Sequence, residues 1–363
     1  MAIVCNILFK INLIMKIQKI TLLVLLMSTS LLIAQENNSD VISLGLLNKT
    51  VVTQVGTSNN SKVEQDGKMN VLGGENNSSK VYQQGTYNNA LVNQRGSFNK
   101  AITIELGHHN YSNQSQGVGW AENNFQLTFQ NGDYNESFQL QRWDNNKGIV
   151  YQHGFSNLAK QDQRTGVNAS QGSFAAIYQD GAVNDAFQKQ FGKINNAFAS
   201  QIGYSNFSNQ DQLGDNNVEV VIQNGKHNSA IQTQQGDGNN AFEFQLGDAN
   251  DSETIQLGNF NVSSTIELGN NNTSYTNQEG NLNLSGTLQL GAGNNSSTLQ
   301  IGELNTSGTL QIGFDNTALT AQNGLENLSL TGQFGNTHTS IVNQAGNNNM
   351  SFVGQFGGSS NPN

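Results

Sequence analysis

The chain has 363 residues, of which 35% are hydrophobic and 12% are charged, and it contains 39 glycines but only one proline. So few apolar side chains argue against conventional globular cores, because polar chains of this kind stay disordered unless a regular pattern stacks them into ladders. The formal net charge of −10, with no visible basic face, argues against nucleic-acid binding.

Residues 1–34 have the features of a secretory signal peptide. Lys16 and Lys19 precede a short apolar run, and the small residue Ala34 ends the segment. The run is too short to span a bilayer comfortably, although a membrane anchor is the alternative interpretation. We therefore predict a secreted protein and not an integral membrane protein, with Met15 as an alternative start. The only cysteine lies in this segment, so we expect no disulfide in the mature chain.

Residues 45–180 contain an irregular version of a repeat that becomes regular further on. Extra residues near 117–119 and 164–170 break its phase. We interpret the region as worn copies of the later array and not as a separate domain. The ten residues before it, 35–44, are predicted to be a short segment outside the repeats, and the last six, 358–363, a C-terminal tail.

Residues 181–357 repeat one phrase every eleven residues without a slip, and such a fixed period is typical of stacked repeat architectures. Each unit ends in a glycine that is followed by a short polar segment. The glycines are Gly181, Gly192, Gly203, Gly214, Gly225, Gly236, Gly247, Gly258, Gly269, Gly280, Gly291, Gly302, Gly313, Gly324, Gly335, Gly346 and Gly357.

Two amide positions are nearly constant from unit to unit. From Gly192 onward, Gln stands two residues before each glycine except at Glu267, and from Gly181 to Gly346 Asn stands three residues after it except at His338. The glutamines are Gln190, Gln201, Gln212, Gln223, Gln234, Gln245, Gln256, Gln278, Gln289, Gln300, Gln311, Gln322, Gln333, Gln344 and Gln355. The asparagines are Asn184, Asn195, Asn206, Asn217, Asn228, Asn239, Asn250, Asn261, Asn272, Asn283, Asn294, Asn305, Asn316, Asn327 and Asn349.

This phrase predicts an all-β fold. Within a unit the repeated residues alternate with variable ones, which is the period of a strand, and Gly-x-x-Asn supplies a tight turn. Two eleven-residue strand-turn units make a coil of about 22 residues, and coils stack at about 4.8 Å. We therefore predict a β-solenoid with amyloid-like cross-β stacking, in which Gln256, Gln278 and Gln300 form one amide ladder.

The pattern leaves open which strand face is inside. One face carries Ala or Ser, Thr and Gln, whereas the other carries Leu288 and Leu310 but also Lys189 and Asp211. Burial of apolar area favours the second face inside. Side chains of matched size in every coil favour the first, because interiors are close-packed. We expect the polar face inside and the aliphatic stripe exposed as a flank for lateral association.

The unit Asn-x-Ala/Ser-x-Thr-x-Gln-x-Gly resembles the curlin repeat of bacterial curli subunits. Residues 184–192 and 234–245 match that family's spacing of Gln, Gly, Asn and Ala, and the resemblance covers about 45–357. It implies a secreted functional amyloid with Gln and Asn stacked in its core. It also implies a nucleator subunit, a dedicated outer-membrane secretion pore and adhesive, pilus-like fibres in the biofilm matrix. The many repeats and the irregular units leave open whether the chain is the major subunit or the nucleator.

Physical reasoning from the pattern also predicts assembly, because a solenoid without caps ends in unpaired strands. We expect a structural homopolymer and not an enzyme, with no catalytic, cofactor-binding or metal-binding residues. The alternative is a monomeric ice-binding or carbohydrate-binding solenoid that presents a Ser-x-Thr ladder outward. Its threonines would be Thr254, Thr265, Thr276, Thr287, Thr298, Thr309, Thr320 and Thr331.

Overall fold

The protein is an all-β solenoid, which confirms the predicted fold class. The computed structural model describes residues 36–66, 75–117, 121–166 and 171–357, and within these ranges it contains 28 strands and no helix. The predicted signal peptide and the tail at 358–363 lie outside the described residues.

The strands are short and evenly spaced. The first fourteen are β1 (Asn38–Leu44), β2 (Lys49–Thr57), β3 (Asn60–Asp66), β4 (Ser78–Thr86), β5 (Asn89–Arg95), β6 (Lys100–His108), β7 (Tyr111–Gln116), β8 (Phe125–Asp133), β9 (Glu136–Arg142), β10 (Lys147–Phe155), β11 (Leu158–Arg164), β12 (Phe174–Ala182), β13 (Asp185–Phe191) and β14 (Asn196–Tyr204). The remaining strands are β15 (Phe207–Leu213), β16 (Val218–Lys226), β17 (Ser229–Gln235), β18 (Asn240–Asp248), β19 (Asp251–Leu257), β20 (Val262–Asn270), β21 (Thr273–Asn281), β22 (Leu284–Ala292), β23 (Asn295–Glu303), β24 (Thr306–Phe314), β25 (Thr317–Leu325), β26 (Leu328–Asn336), β27 (Thr339–Ala345) and β28 (Met350–Gly357).

Two parallel sheets of fourteen strands each face one another across the core. The odd-numbered strands form one, which we call the odd sheet, and the even-numbered strands form the even sheet. Each strand pairs with the strand two places on, so that Gln201 of β14 lies opposite Gln223 of β16. This offset is 22 residues, as the two-unit coil predicts.

Most turns are built on a glycine, whose place is taken by Ala121 and Trp143 in two turns of the irregular half. Gly203 has a φ of 122°, and a Cβ placed on it would overlap the carbonyl oxygen of Gly225 in the next coil. Ser205, two residues on, is left-handed at a φ of 56°, and Asn206 then leads into the next strand. The close stacking of identical turns therefore requires Gly at the first turn position.

The segment at 35–44 differs from the prediction that it lies outside the repeats. Its described residues include β1, which pairs in register with β3 so that Val41 lies opposite Val63. The Gln that marks the other strands is replaced here by Ser43, whose hydroxyl still donates to the side chain of Gln65 at 3.3 Å. The first strand therefore keeps the geometry of the coil without its sequence marker.

The irregular half continues the same two sheets. Its coils are longer at three places, where Asn60 pairs with Asn89, Tyr111 with Glu136 and Leu158 with Asp185, offsets of 29, 25 and 27 residues. The extra residues follow β3, β7 and β11, so all three insertions fall between an odd strand and the even strand after it. The pairing before and after each insertion stays in register.

Candidate functional site

The predicted asparagines form two buried columns, one along each edge of the solenoid. The backbone N–H and Nδ2 of Asn206 both donate to Oδ1 of Asn184 at 3.0 Å, and Nδ2 also donates to the carbonyl oxygen of Gly225 at 3.0 Å. One side chain therefore ties together three successive coils. All the predicted asparagines are buried in this way except Asn349 in the last described turn, which is half-buried.

Two substitutions show what the asparagine column requires. At the third insertion Ser173 takes the asparagine position, and its hydroxyl donates to the carbonyl oxygen of Gly192 at 3.0 Å while accepting from the N–H of Asn195 at 3.3 Å. In the second case His338 donates its backbone N–H to Asn316 and makes a 2.6 Å contact from Nε2 to the carbonyl oxygen of Gly357. Each replacement keeps a polar bridge between coils.

The predicted glutamines form a ladder inside each sheet. Nε2 of Gln201 donates to Oε1 of Gln223 at 2.9 Å and to the carbonyl oxygen of Asp185 at 2.9 Å, so it joins adjacent coils and also the two sheets. All the predicted glutamines are buried except Gln355 in β28, which is half-buried. The inward orientation of the polar face thus agrees with the expectation from size matching, and the amides buried here are hydrogen-bonded, as burial requires.

A second glutamine ladder lies in the odd sheet from β7 to β17, and the sequence reasoning did not include it. Adjacent members are joined by Nε2-to-Oε1 bonds of 2.8 to 3.1 Å. The sequence signal for this ladder is a Gln-x-Gln pair in every second unit, as in Gln188 and Gln190, where the first Gln stands two residues before the Gln of the first ladder. The members of the second ladder are Gln114, Gln139, Gln161, Gln188, Gln210 and Gln232.

The threonine column that the ice-binding alternative requires on the surface lies inside. Each of the eight threonines is at most 5% exposed. Hydroxyls of the two sheets approach one another across the core, with Thr287 Oγ1 at 3.4 Å from Ser296 Oγ. The Ser-x-Thr pattern is therefore an interior feature and does not form a hydroxyl surface.

Two glutamates interrupt the glutamine ladder of the even sheet. Gln245 donates to Oε2 of Glu267 at 2.9 Å, but Oε1 of Glu267 and Oε1 of Gln289, its neighbour in register, have no hydrogen-bond partner among the described residues. Glu105 repeats this arrangement between Gln83 and Gln130. Two acceptors therefore face each other at both interruptions.

Protonation would repair both interruptions. Burial raises the pKa of Glu105 and that of Glu267 to about 8, although the hydrogen bonds from Gln83 and Gln245 oppose the shift. A neutral carboxyl group has the one hydrogen that each ladder lacks, and it can donate that hydrogen to the next amide oxygen. The ladder is thus complete only when these acids are neutral.

Two further glutamates, Glu219 and Glu243, are fully buried in adjacent coils of the even sheet, and Glu219 lies in register between Ala197 and Ala241. Burial, reinforced by repulsion from neighbouring acids, raises the pKa of both well above that of an ordinary glutamate. Within the described ranges, no group of three or more His, Cys, Asp and Glu side chains is arranged to hold a metal ion.

The outer surfaces of the two sheets differ, a distinction that the sequence reasoning missed. We call the outward residues of the even sheet the apolar face and those of the odd sheet the charged face. From β4 to β24 the central column of the apolar face is Tyr82, Ile104, Phe129, Tyr151, Tyr178, Ser200, Ile222, Phe244, Ile266, Leu288 and Leu310. From β3 to β23 that of the charged face is Glu64, Asn93, Ser115, Leu140, Asp162, Lys189, Asp211, Thr233, Ile255, Asn277 and Leu299.

Both described ends of the solenoid present strands with one neighbour only. At one end β1 pairs with β3 and β2 with β4, and every residue of β1 is exposed. At the other end β27 pairs with β25 and β28 with β26. Each of these four strands therefore has a free edge of backbone N–H and C=O groups within the part of the chain that the structure describes.

The chain matches no protein-family model and no curated protein. No helix in the described ranges has the length and apolar character needed to cross a membrane.

Proposed function

We propose that the protein is a secreted structural subunit that assembles end to end into extracellular, curli-like amyloid fibres for surface adhesion and biofilm cohesion. The observation that supports this most strongly is that the amide ladder of the even sheet reaches both open ends, from Gln54 to Gln355, with Glu105 and Glu267 as its two interruptions. A hydrogen-bonded polar column in the interior favours addition of another coil at its tip, because the terminal amides otherwise lose a partner.

The two tips of the even-sheet ladder are complementary. Donation runs in one direction, from Nε2 of each glutamine to Oε1 of the next coil. At the first coil, Oε1 of Gln54 accepts no hydrogen bond from any described residue, whereas Nε2 donates to Gln83. At the last coil, Nε2 of Gln355 donates to the carbonyl oxygen of Thr339 and has no further glutamine to reach. A second copy placed head to tail would bring this donor to Gln54 of its neighbour.

The strand edges support the same mode of assembly. Parallel pairing would continue from β28 to β2 and from β27 to β1 of the next copy. The even sheet would then be extended by an even strand and the odd sheet by an odd strand. Open strand edges template further pairing, and natural repeat proteins that remain monomeric cover them. Within the described residues, no helix occurs and no further strand pairs with the outer edge of a terminal strand.

Export and partners rest on the sequence. The signal-peptide pattern of residues 1–34 and the resemblance to curlin repeats support secretion through a dedicated outer-membrane pore and a role for a nucleator subunit. In this proposal the protein's main partner is itself, and it is not an enzyme. The ice-binding or carbohydrate-binding alternative depended on an outward Ser-x-Thr ladder, and with those threonines buried no observation favours it.

Seeded elongation of purified residues 35–363, followed by thioflavin T fluorescence, tests the proposal. We expect a lag that preformed fibres abolish, and fibres with a meridional reflection near 4.8 Å. As a control for the buried ladder glutamines, Gln235, an exposed glutamine at the end of β17, is replaced by Leu. This variant should elongate at the wild-type rate. A chain that stays a monodisperse rod at all concentrations and ignores seeds would contradict end-to-end assembly.

A further inference from the structure

The apolar face runs along the whole described solenoid. At the third, fifth and seventh strand positions of the even sheet, only Lys80 and Asp180 are acidic or basic apart from histidine, whereas the same positions of the odd sheet hold thirteen Asp, Glu, Lys and Arg residues. Charges on the charged face are partly paired, as between Lys189 and Asp211 at 3.0 Å. From β1 to β21 the charged face is therefore suited to water, whereas beyond Glu279 it carries no charge at these positions. The apolar face is suited to an apolar partner.

We propose that the apolar face of one solenoid docks on the apolar face of a second copy of this chain, so that each filament contains two solenoids side by side. The pairing would link solenoids laterally, in addition to the end-to-end contacts of the proposed function. Lateral pairing itself requires only that the solenoid is folded. Its consequence for filaments rests on the proposed function, end-to-end assembly.

The area of the apolar face is sufficient for a stable dimer. Fourteen strands at about 4.8 Å give a length of about 65 Å, and seven residues at about 3.3 Å give a width of about 20 Å. The face thus offers about 1,300 Å² per copy, more than the roughly 800 Å² per partner of a standard stable interface.

The spacing of the face favours a second copy over another partner. Its side chains recur at the strand repeat of about 4.8 Å, and two surfaces interdigitate along their length only when they share that repeat. Another solenoid of this chain has the same repeat and the same low charge. Its apolar face is therefore the surface that fits.

The C-terminal part of the apolar face contains both a ridge and a trench. Leu288 and Leu310 stand beside Gly286 and Gly308. An added Cβ on Gly286 would touch no other atom, whereas one on Gly308 would meet the side chain of Leu330, which closes the trench at that end. Together with Ile266 these residues line an open depression of about 650 Å³. A leucine ridge from the second copy can enter such a trench, which gives the pairing a specific fit.

Matched lysine substitutions on the two faces test the proposal. Leu288→Lys with Leu310→Lys places two charges on the apolar face, one coil apart. Leu299→Lys with Ala321→Lys places two charges at the same spacing on the charged face. The measurement is fibre mass per length by scanning transmission electron microscopy.

We expect the first variant to halve the mass per length of wild-type fibres, from two solenoids to one, and the second variant to leave it unchanged. Wild-type fibres with the mass of a single solenoid, or an equal effect of both variants, would overturn the proposal while leaving end-to-end assembly intact.

Sedimentation of the soluble rods before elongation separates the two proposals. Lateral pairing predicts dimers for wild type and for the charged-face variant, and monomers for the apolar-face variant, whether or not fibres later form. Rods that sediment as monomers at concentrations where fibres grow would overturn lateral pairing. If the double variant of the apolar face has lost its β-sheet circular dichroism, Leu310→Lys alone takes its place. The same sedimentation outcomes then support or overturn lateral pairing.

Discussion

The irregular half of the solenoid, 45–180, and the regular half, 181–357, differ in the number of residues per coil but not in the register of their strands. The first accepts seven, three and five extra residues, as offsets of 29, 25 and 27 against 22 show, and the second accepts none. All three insertions fall between an odd strand and the even strand after it, and the Asn and Gln columns continue in the coils that follow. The comparison teaches that the fold constrains the vertical columns and not the period as such.

The two halves also fill their interiors differently. The irregular half buries two small aliphatic clusters, one around Val63, Val81 and Val92 and the other around Val150 and Ile177. From β19 to β26 the corresponding positions are threonines in both sheets, and β27 and β28 return to valine. The core positions between the amide columns therefore tolerate either Val or Thr, whereas the columns change only to other polar residues, which locates the common stabilising element in the hydrogen-bonded columns.

The largest effect should come from breaking register inside a strand of the regular half. Deletion of Gln210 in β15 turns the following inward residues outward, because a shift of one residue exchanges the two faces of a strand. We expect loss of cooperative thermal unfolding and of seeded elongation. Deletion of Gly166, in the third insertion, is the matched control and should shift the melting temperature by only a few degrees. Equal damage from both deletions would refute the distinction between columns and period.

The next effect should come from removing ladder amides in the regular half. Changing Gln289, Gln300 and Gln311 to Leu leaves neighbouring buried amides without partners, at about 1–3 kcal/mol each. We expect slower seeded elongation and a lower free energy of unfolding, measured by denaturant titration. Changing Val63 and Val81 to Thr in the irregular half should cost less, because the regular half already uses Thr there. If the valine variant lost more stability than the glutamine variant, the amides would not be the common element.

A smaller effect is expected at the turn glycines. Gly203→Ala forces a Cβ against the next coil at a φ of 122°, and the strained backbone alone costs about 1–3 kcal/mol. Gly286→Ala, in open space on the apolar face, should stay within about 0.5 kcal/mol of wild type. Gly154→Ala asks the same question in the irregular half and should match Gly203→Ala. The measurement is the melting temperature of the three variants. A Gly154→Ala variant as stable as wild type would show that the two halves differ in their need for glycine at this turn position.

The last comparison concerns pH and one glutamate in each half. The folded-state pKa of Glu105 and of Glu267 is raised to about 8, from an ordinary value of 4.5, so between those values the folded state holds more protons than the unfolded state. Stability is therefore fully present below about pH 4.5 and falls as the pH rises towards about 8. We expect a higher melting temperature at pH 5 than at pH 9.

Glutamine substitutions sharpen this pH prediction. Glu267→Gln and Glu105→Gln each restore a ladder donor, so each should raise the melting temperature at pH 9 and make its pH dependence shallower by a similar amount. The buried Glu219 and Glu243 remain, so the dependence should not vanish. Glu253→Gln on the charged face is the control. An unchanged pH profile in both ladder variants would show that these carboxyl groups do not complete the ladder.

Much of the fold could be predicted because each unit contains its own marker. Gln-x-Gly-x-x-Asn fixes the inward amide and the turn, and the 22-residue coil follows from pairing alternate units. The first strand lacked that marker, since Ser43 replaces Gln, and it was placed outside the array although Val41 keeps its register. Local residue type therefore predicts a coil only where the marker is present.

The two outer faces could not be read from single units. Leu288, Leu299 and Leu310 occur in one phrase, yet the first and third lie on the apolar face and the second on the charged face. Pooling all units mixed Lys189 and Asp211 with these leucines and hid the difference. Only the assignment of alternate units to separate sheets reveals that one surface is apolar along the whole rod.

The central claim is that the amide ladders continue from one copy into the next. Cryo-electron microscopy of fibres grown from residues 35–363 tests it most directly at the junction between copies. The account predicts β28 paired in parallel with β2 of the next copy, and Nε2 of Gln355 within hydrogen-bond distance of Oε1 of Gln54 at the same coil spacing as elsewhere. A junction in which these glutamines face solvent, or in which other residues cover the terminal strands, would contradict it.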